Sequence, residues 1–160
     1  MTGCLYPKKA VICIAFLLLL MPVVLHAQLT VVQGSDMNMT AQELVQNYLV
    51  GPGITVSNVT FNGAAGLISS KQIGTFQTDS AATTELGLTG GILMTSGKAE
   101  IAIGPNHNNG AGAAMGGPGD PDLNILAETN TNDKAVIEFD FIRQYDTIRF
   151  RYVFGSEEFF

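Results

Sequence analysis

Residues 135–160 read AVIEFDFIRQYDTIRFRYVFGSEEFF. Ile137, Phe139 and Phe141 alternate with Glu138 and Asp140, and Ile148, Phe150, Tyr152 and Phe154 alternate with Arg149 and Arg151. Successive strand residues point to opposite faces, so each run predicts a strand with one apolar and one solvated face. The polar connector Arg143-Gln144-Tyr145-Asp146 predicts a hairpin. The register that joins the two apolar sets puts Phe141 opposite Ile148, Asp140 opposite Arg149 and Glu138 opposite Arg151. Opposite-charge cross-strand pairs contribute roughly 0.2–1 kcal/mol each, so these four charges are expected to form a paired solvent face.

Working outward, the chain closes on Gly155-Ser156-Glu157-Glu158-Phe159-Phe160. Two terminal aromatics with no polar tail are read as the edge of a fragment, an incomplete domain whose frame continues. At the other end, residues 1–27 read as a signal peptide. Lys8 and Lys9 form the basic start, residues 10–20 the apolar run, and cleavage is expected between Ala27 and Gln28. The run is broken at Pro22 and is too short for a membrane span, so no span is expected in the mature chain.

Removing that segment takes both cysteines, Cys4 and Cys13, and shifts the formal charge from −6 to −8 with the loss of Lys8 and Lys9. A secreted chain without disulfides must be stabilised by its core, and 133 residues (160 less 27) suffice for one domain, residues 28–160. The acidic balance and the absence of Trp argue against a nucleic-acid partner. High Gly, Thr and Asn with few charges predicts an all-β fold, a β-sandwich or jelly-roll-like domain.

The elements follow from local pattern. Residues 29–32 predict a strand. Thr40-Ala41-Gln42-Glu43 is a capping box that opens one short N-terminal helix over 41–49, stopped by Gly51-Pro52-Gly53. Residues 54–61 alternate in two phases, which predicts either a bulge or a turn near Ser57 and Asn58, and Asn62-Gly63 closes the strand. Residues 72–77 predict a strand, 79–84 a polar loop, and 91–97 a strand buried on both faces. Residues 104–131 predict a long Gly-rich loop, disordered in its first half, with a helical turn at 122–127.

Several runs together resemble a known family: LGLTGGILMTSG at 86–97, Gly104-Pro105-Asn106, Gly119-Asp120-Pro121-Asp122-Leu123, residues 135–141, and FGSEEF at 154–159. In that order they resemble the choice-of-anchor L domain, a module of secreted and surface proteins best known in Bacteroidetes, over residues 44–160. The resemblance implies an exported protein attached to the cell surface through a further C-terminal region. The family's acidic pair is usually followed by Tyr, where this chain has Phe159.

Carboxylates in loops are the candidate chemistry. Asp120 and Asp122, separated by a stiffening proline, offer oxygen ligands to Ca²⁺, and Glu157 and Glu158 form a second candidate pair; both pairs also read as ordinary turn or strand-end residues. No other cofactor is expected. His107 is the one His after residue 27, so nucleophilic catalysis finds little support and the chain is read as a non-enzyme. Asn38-Met39-Thr40 and Asn58-Val59-Thr60 fit the N-glycosylation pattern, and Asp79-Ser80-Ala81 resembles an O-glycosylation acceptor triplet of Bacteroidetes. The expected role is a non-catalytic adhesion or structural module that displays loops to a surface protein or matrix. The alternative is a glycan-binding module or glycoside hydrolase.

Overall fold

The computed structural model describes residues 29–106, 110–143 and 146–156. Over these residues the chain is mainly β, built as two antiparallel sheets with several short helices. The first sheet has the order β1 (Leu29–Gln33), β3 (Ile73–Thr78), β4 (Gly90–Met94); the second pairs β2 (Thr55–Phe61) with β5 (Ile137–Ile142). In the first sheet Val31 stands opposite Phe76, and Phe76 opposite Gly91.

After the first strand and a single turn, α1 (Gly34–Met37), the capping box forms as its residues dictate. The Glu43 amide donates to Thr40 Oγ1 at 3.1 Å, and Glu43 Oε2 accepts the Thr40 amide at 2.8 Å. These bonds satisfy amides that have no partner inside the helix. They start α2 (Ala41–Leu44), which widens at once into a π-helical turn, Val45–Leu49, so the predicted helix spans the expected residues with two geometries. Leu44 and Val45 are fully buried. Burying each such side chain contributes about 1.5–3 kcal/mol.

The core draws on both sheets and on that helix: Ala41, Leu44, Val45, Val56, Val59, Phe61, Ile68 and Ile73, with Ile92, Ile137 and Phe139 packed against them. The bulge in β2 makes this composition possible. Val56 and Phe61 are an odd number of residues apart and would face opposite sides of a regular strand. The register shift between Ser57 and Thr60, with Asn58 at φ 53°, turns Val56, Val59 and Phe61 all inward. Asn62 and Gly63, at φ 51° and 78°, then close a two-residue turn in which Phe61 and Ala64 exchange hydrogen bonds of 2.9 and 3.0 Å.

The predicted hairpin is corrected. β5 pairs with β2, some eighty residues upstream, setting Val56 opposite Phe141 and Ser57 opposite Asp140. The Asp140 carboxylate accepts Asn58 Nδ2 at 2.7 Å. Residues 147–156 run as irregular chain, with Phe150, Tyr152 and Phe154 exposed. Among the described residues Arg149 and Arg151 form no ion pair with Glu138 or Asp140; Arg143 instead meets Asp146 at 4.0 Å, and Arg151 donates to the Gly87 carbonyl. Alternation specifies a face and leaves the partner open, which is why the nearest segment in sequence was the wrong choice.

Three further expectations are revised. Residues 79–84 are not a loop: Asp79 accepts the Ala82 amide at 2.8 Å and caps α3 (Ser80–Leu86), which ends at Gly87 with φ 68°. β4 is an edge strand with intermediate burial, because one neighbour and one helical turn cover it, so it is not buried on both faces. Finally, among the described residues the mainly β frame carries four short α-helices, a π-turn and a 3₁₀ turn at Ala99–Ile103, beyond the one N-terminal helix and the helical turn at 122–127 that were expected.

Candidate functional site

The long segment 104–131 is where the expected display surface lies. Its second half holds α4 (Pro121–Ala127), and the local sequence explains why. Pro121 presets the first helical φ, and Asp120 Oδ1 accepts the amides of Asp122 and Leu123 at 3.0 and 3.3 Å. Glu128, at φ 51°, ends the helix.

The loop is braced at its base by residues that sequence patterns did not connect to one another. Asn124 Oδ1 accepts both the amide and the hydroxyl of Thr131 at 2.6 and 2.7 Å, and Thr131 Oγ1 accepts the Asp120 amide at 3.1 Å. The Asp133 carboxylate accepts the amides of Met115 and Gly117 at 2.9 and 2.5 Å. Pro118 and Asn132 form an antiparallel bridge, with Lys134 donating to the Pro118 carbonyl at 3.1 Å. Buried Gln72, at the entrance to β3, donates to the Asp133 carbonyl at 2.8 Å and ties this base to the first sheet. The Gly-rich stretch from 110 is thus irregular in path and tethered near 115–117. The available signal was modest: an Asp two residues after a Thr in a polar run, and an Asn inside a predicted helical turn.

α4 carries its apolar residues outward. Leu123, Ile125 and Leu126 are 50%, 75% and 80% exposed. Between 104 and 131 the formal charges are Asp120, Asp122 and Glu128, with no Lys or Arg. The surface is an apolar prong with an acidic setting.

Of the proposed metal ligands, Asp120 is engaged as a helix cap and Asp122 sits exposed in the same first turn. Glu157 and Glu158 lie outside the described residues, as do Ala27, Gln28 and His107. Among the described residues no group of three or more His, Cys, Asp or Glu is placed to hold a metal. Two modification patterns fall on structural residues: Asn58 binds Asp140, and Asp79 caps α3.

The family model of the choice-of-anchor L domain matches residues 30–160. The chain belongs to the choice-of-anchor L domain family. No curated protein and no solved structure matches it. The match begins within β1, fourteen residues before the resemblance read from motifs, and so takes in the capping box and the start of the core helix. Membership in the choice-of-anchor L family points to a secreted or surface-associated protein. Among the described residues no helix is long and apolar enough to cross a membrane.

Proposed function

We propose that this choice-of-anchor L chain is a non-catalytic adhesion module that presents the braced loop 104–131 to a protein at the cell surface or in the matrix. The observation that carries the reading is the outward apolar face of α4, Leu123, Ile125 and Leu126, on a loop held by five side-chain hydrogen bonds through Asp133, Asn124 and Thr131. Exposed apolar side chains on a rigid support favour association, because little conformational entropy is lost when they are covered. The acidic setting matches a partner groove with a basic rim. Several carboxylates that catalysis would need are engaged structurally: Glu43 and Asp120 as caps, Asp133 as a loop tether, Asp140 on Asn58. A shared core between the two sheets supports a sandwich arrangement of the frame.

The test is binding of the fluorescently labelled full chain to intact source cells and to immobilised matrix proteins. Leu123→Ser, Ile125→Ser and Leu126→Ser combined should abolish binding while the melting temperature holds. Undiminished binding by the triple variant, or turnover of glycoside substrates by the wild type, would overturn the reading.

A further inference from the structure

We propose that the hollow between the π-turn and the β3–β4 end of the first sheet binds a neutral saccharide. It is an open cavity of about 370 Å³, at the lower end of the roughly 300–1,000 Å³ typical of small-molecule sites. Tyr48 and Asn47 come from the turn, Phe76, Gln77 and Thr78 from β3, Thr89 from just before β4, and Gly90 and Gly91 from its start.

Each kind of group has a use for a sugar. Tyr48 is 41% exposed and offers an aromatic face at the hollow. Aromatic faces attract the polarised C–H groups of a pyranose and cover its apolar side. The side-chain amides of Asn47 and Gln77 have no hydrogen-bond partner among the described residues, and both side chains are exposed. An amide offers both donors and an acceptor, which suits the paired hydroxyls of a sugar. Gly90 and Gly91 let β4 approach Phe76 closely at this wall. A Cβ at Gly91 would meet the Phe76 ring at 3.3 Å, and one at Gly90 would meet the Phe76 carbonyl at 2.9 Å.

The wall is held independently of any ligand. Thr78 Oγ1 donates to the Leu88 carbonyl at 2.8 Å, and the Thr78 amide donates to the Thr89 carbonyl at 3.1 Å. No lining residue carries a charge, so the site has nothing to offset the desolvation of a phosphate or carboxylate. A neutral ligand of one or two sugar rings fits the volume and the chemistry. The larger hollow beside Thr40, Gln42 and Asn58 contrasts with it: Thr40 is spent on the capping box, Gln42 on the Val56 carbonyl and Asn58 on Asp140. The Tyr48 hollow shares no residue with loop 104–131, so this inference and the adhesion reading stand or fall separately.

An array of neutral and acidic oligosaccharides, probed with the full chain, tests the assignment. Wild type should retain neutral glycans, and Tyr48→Phe should keep that binding because the ring face remains. Tyr48→Ala should weaken binding about 10-fold, the scale of one lost aromatic contact. Gln77→Ala, in an exposed strand position, should weaken it several-fold with the melting temperature unchanged, and it decides the matter if Tyr48→Ala fails to fold. Retention of acidic glycans alone, no retention of any neutral glycan, or unchanged affinity in a folded Tyr48→Ala or Gln77→Ala variant would overturn it.

Discussion

The carboxylate of Asp133 accepts the backbone amide of Met115 at 2.9 Å, across eighteen residues of chain, and holds Gly117 with its other oxygen. A charged acceptor on two amides contributes about 1.5–3 kcal/mol per bond, enough to oppose the conformational freedom of the glycine-rich approach. Asp133→Ala should therefore speed hydrogen exchange at Met115 and Gly117 by more than tenfold, with core amides in β3 unchanged. Asp133→Asn keeps one acceptor oxygen and tolerates the left-handed backbone at φ 53°, and should fall between the two. Equal protection in all three proteins would refute the tether.

Gly119 lies where the loop base closes. A Cβ there would collide with the Thr131 carbonyl and hydroxyl, and Asn124 Oδ1 holds that hydroxyl together with the Thr131 amide. Gly119→Ala should lower stability by about 1–3 kcal/mol through backbone displacement, seen as a drop in melting temperature with an intact β-sheet circular dichroism signal. A change within about 0.5 kcal/mol would show that the base is free to shift.

In the core, Leu44→Ala should destabilise by about 2–5 kcal/mol, since the side chain is fully buried among residues of both sheets. Leu126→Ser should change stability by less than about 0.5 kcal/mol, because that side chain is 80% exposed. Chemical denaturation of the two variants side by side gives the comparison.

The β2–β5 register can be locked covalently. Ser57 and Asp140 are direct partners in an antiparallel pair, and the chain after residue 27 contains no cysteine. The variant Ser57→Cys with Asp140→Cys should form a disulfide on mild oxidation, whereas Asp140→Cys with Arg149→Cys should not. The reverse pattern of mobility on a non-reducing gel would restore the local hairpin.

Glu43 makes a pH-dependent contribution at the first helix. Hydrogen bonds from the Thr40 amide and then the Thr40 hydroxyl hold its carboxyl below the ordinary carboxylate range. A folded pKa below the unfolded one means stability that is fully present above the unfolded value and is lost as pH falls through the folded value. Relative to Glu43→Gln, the wild type should be more stable at pH 6 to 7, and the difference should shrink below about pH 4. A difference that grows in acid would contradict the capping geometry.

Local chemistry was enough to read several parts of this chain. Thr40 and Glu43 close the capping box that their spacing predicts, Asn62-Gly63 forms the turn, and the phase change in 54–61 marks the bulge at Asn58. Each depends on residues within about five positions, so a short window contains all the partners. The helix at 80–86 was legible too, in Asp79 before alanines and Gly87 after Leu86, but the polar composition masked it. The braced loop was only half visible: Asp120-Pro121 announces α4, whereas nothing near Gln72, Asn124 or Asp133 indicates that they meet at its base.

What only the tertiary structure decided is pairing over distance. Alternation in 137–142 specified a strand and its apolar face, and any strand with a complementary face satisfies that pattern. β2 was selected because its bulge turns three apolar residues inward and places Asn58 against Asp140. The Tyr48 hollow likewise exists only because a π-turn and two glycines forty residues apart are brought together by the sheet. The sequence by itself determined the periods, the caps and the family; the packing of one core decided which of the compatible partners met.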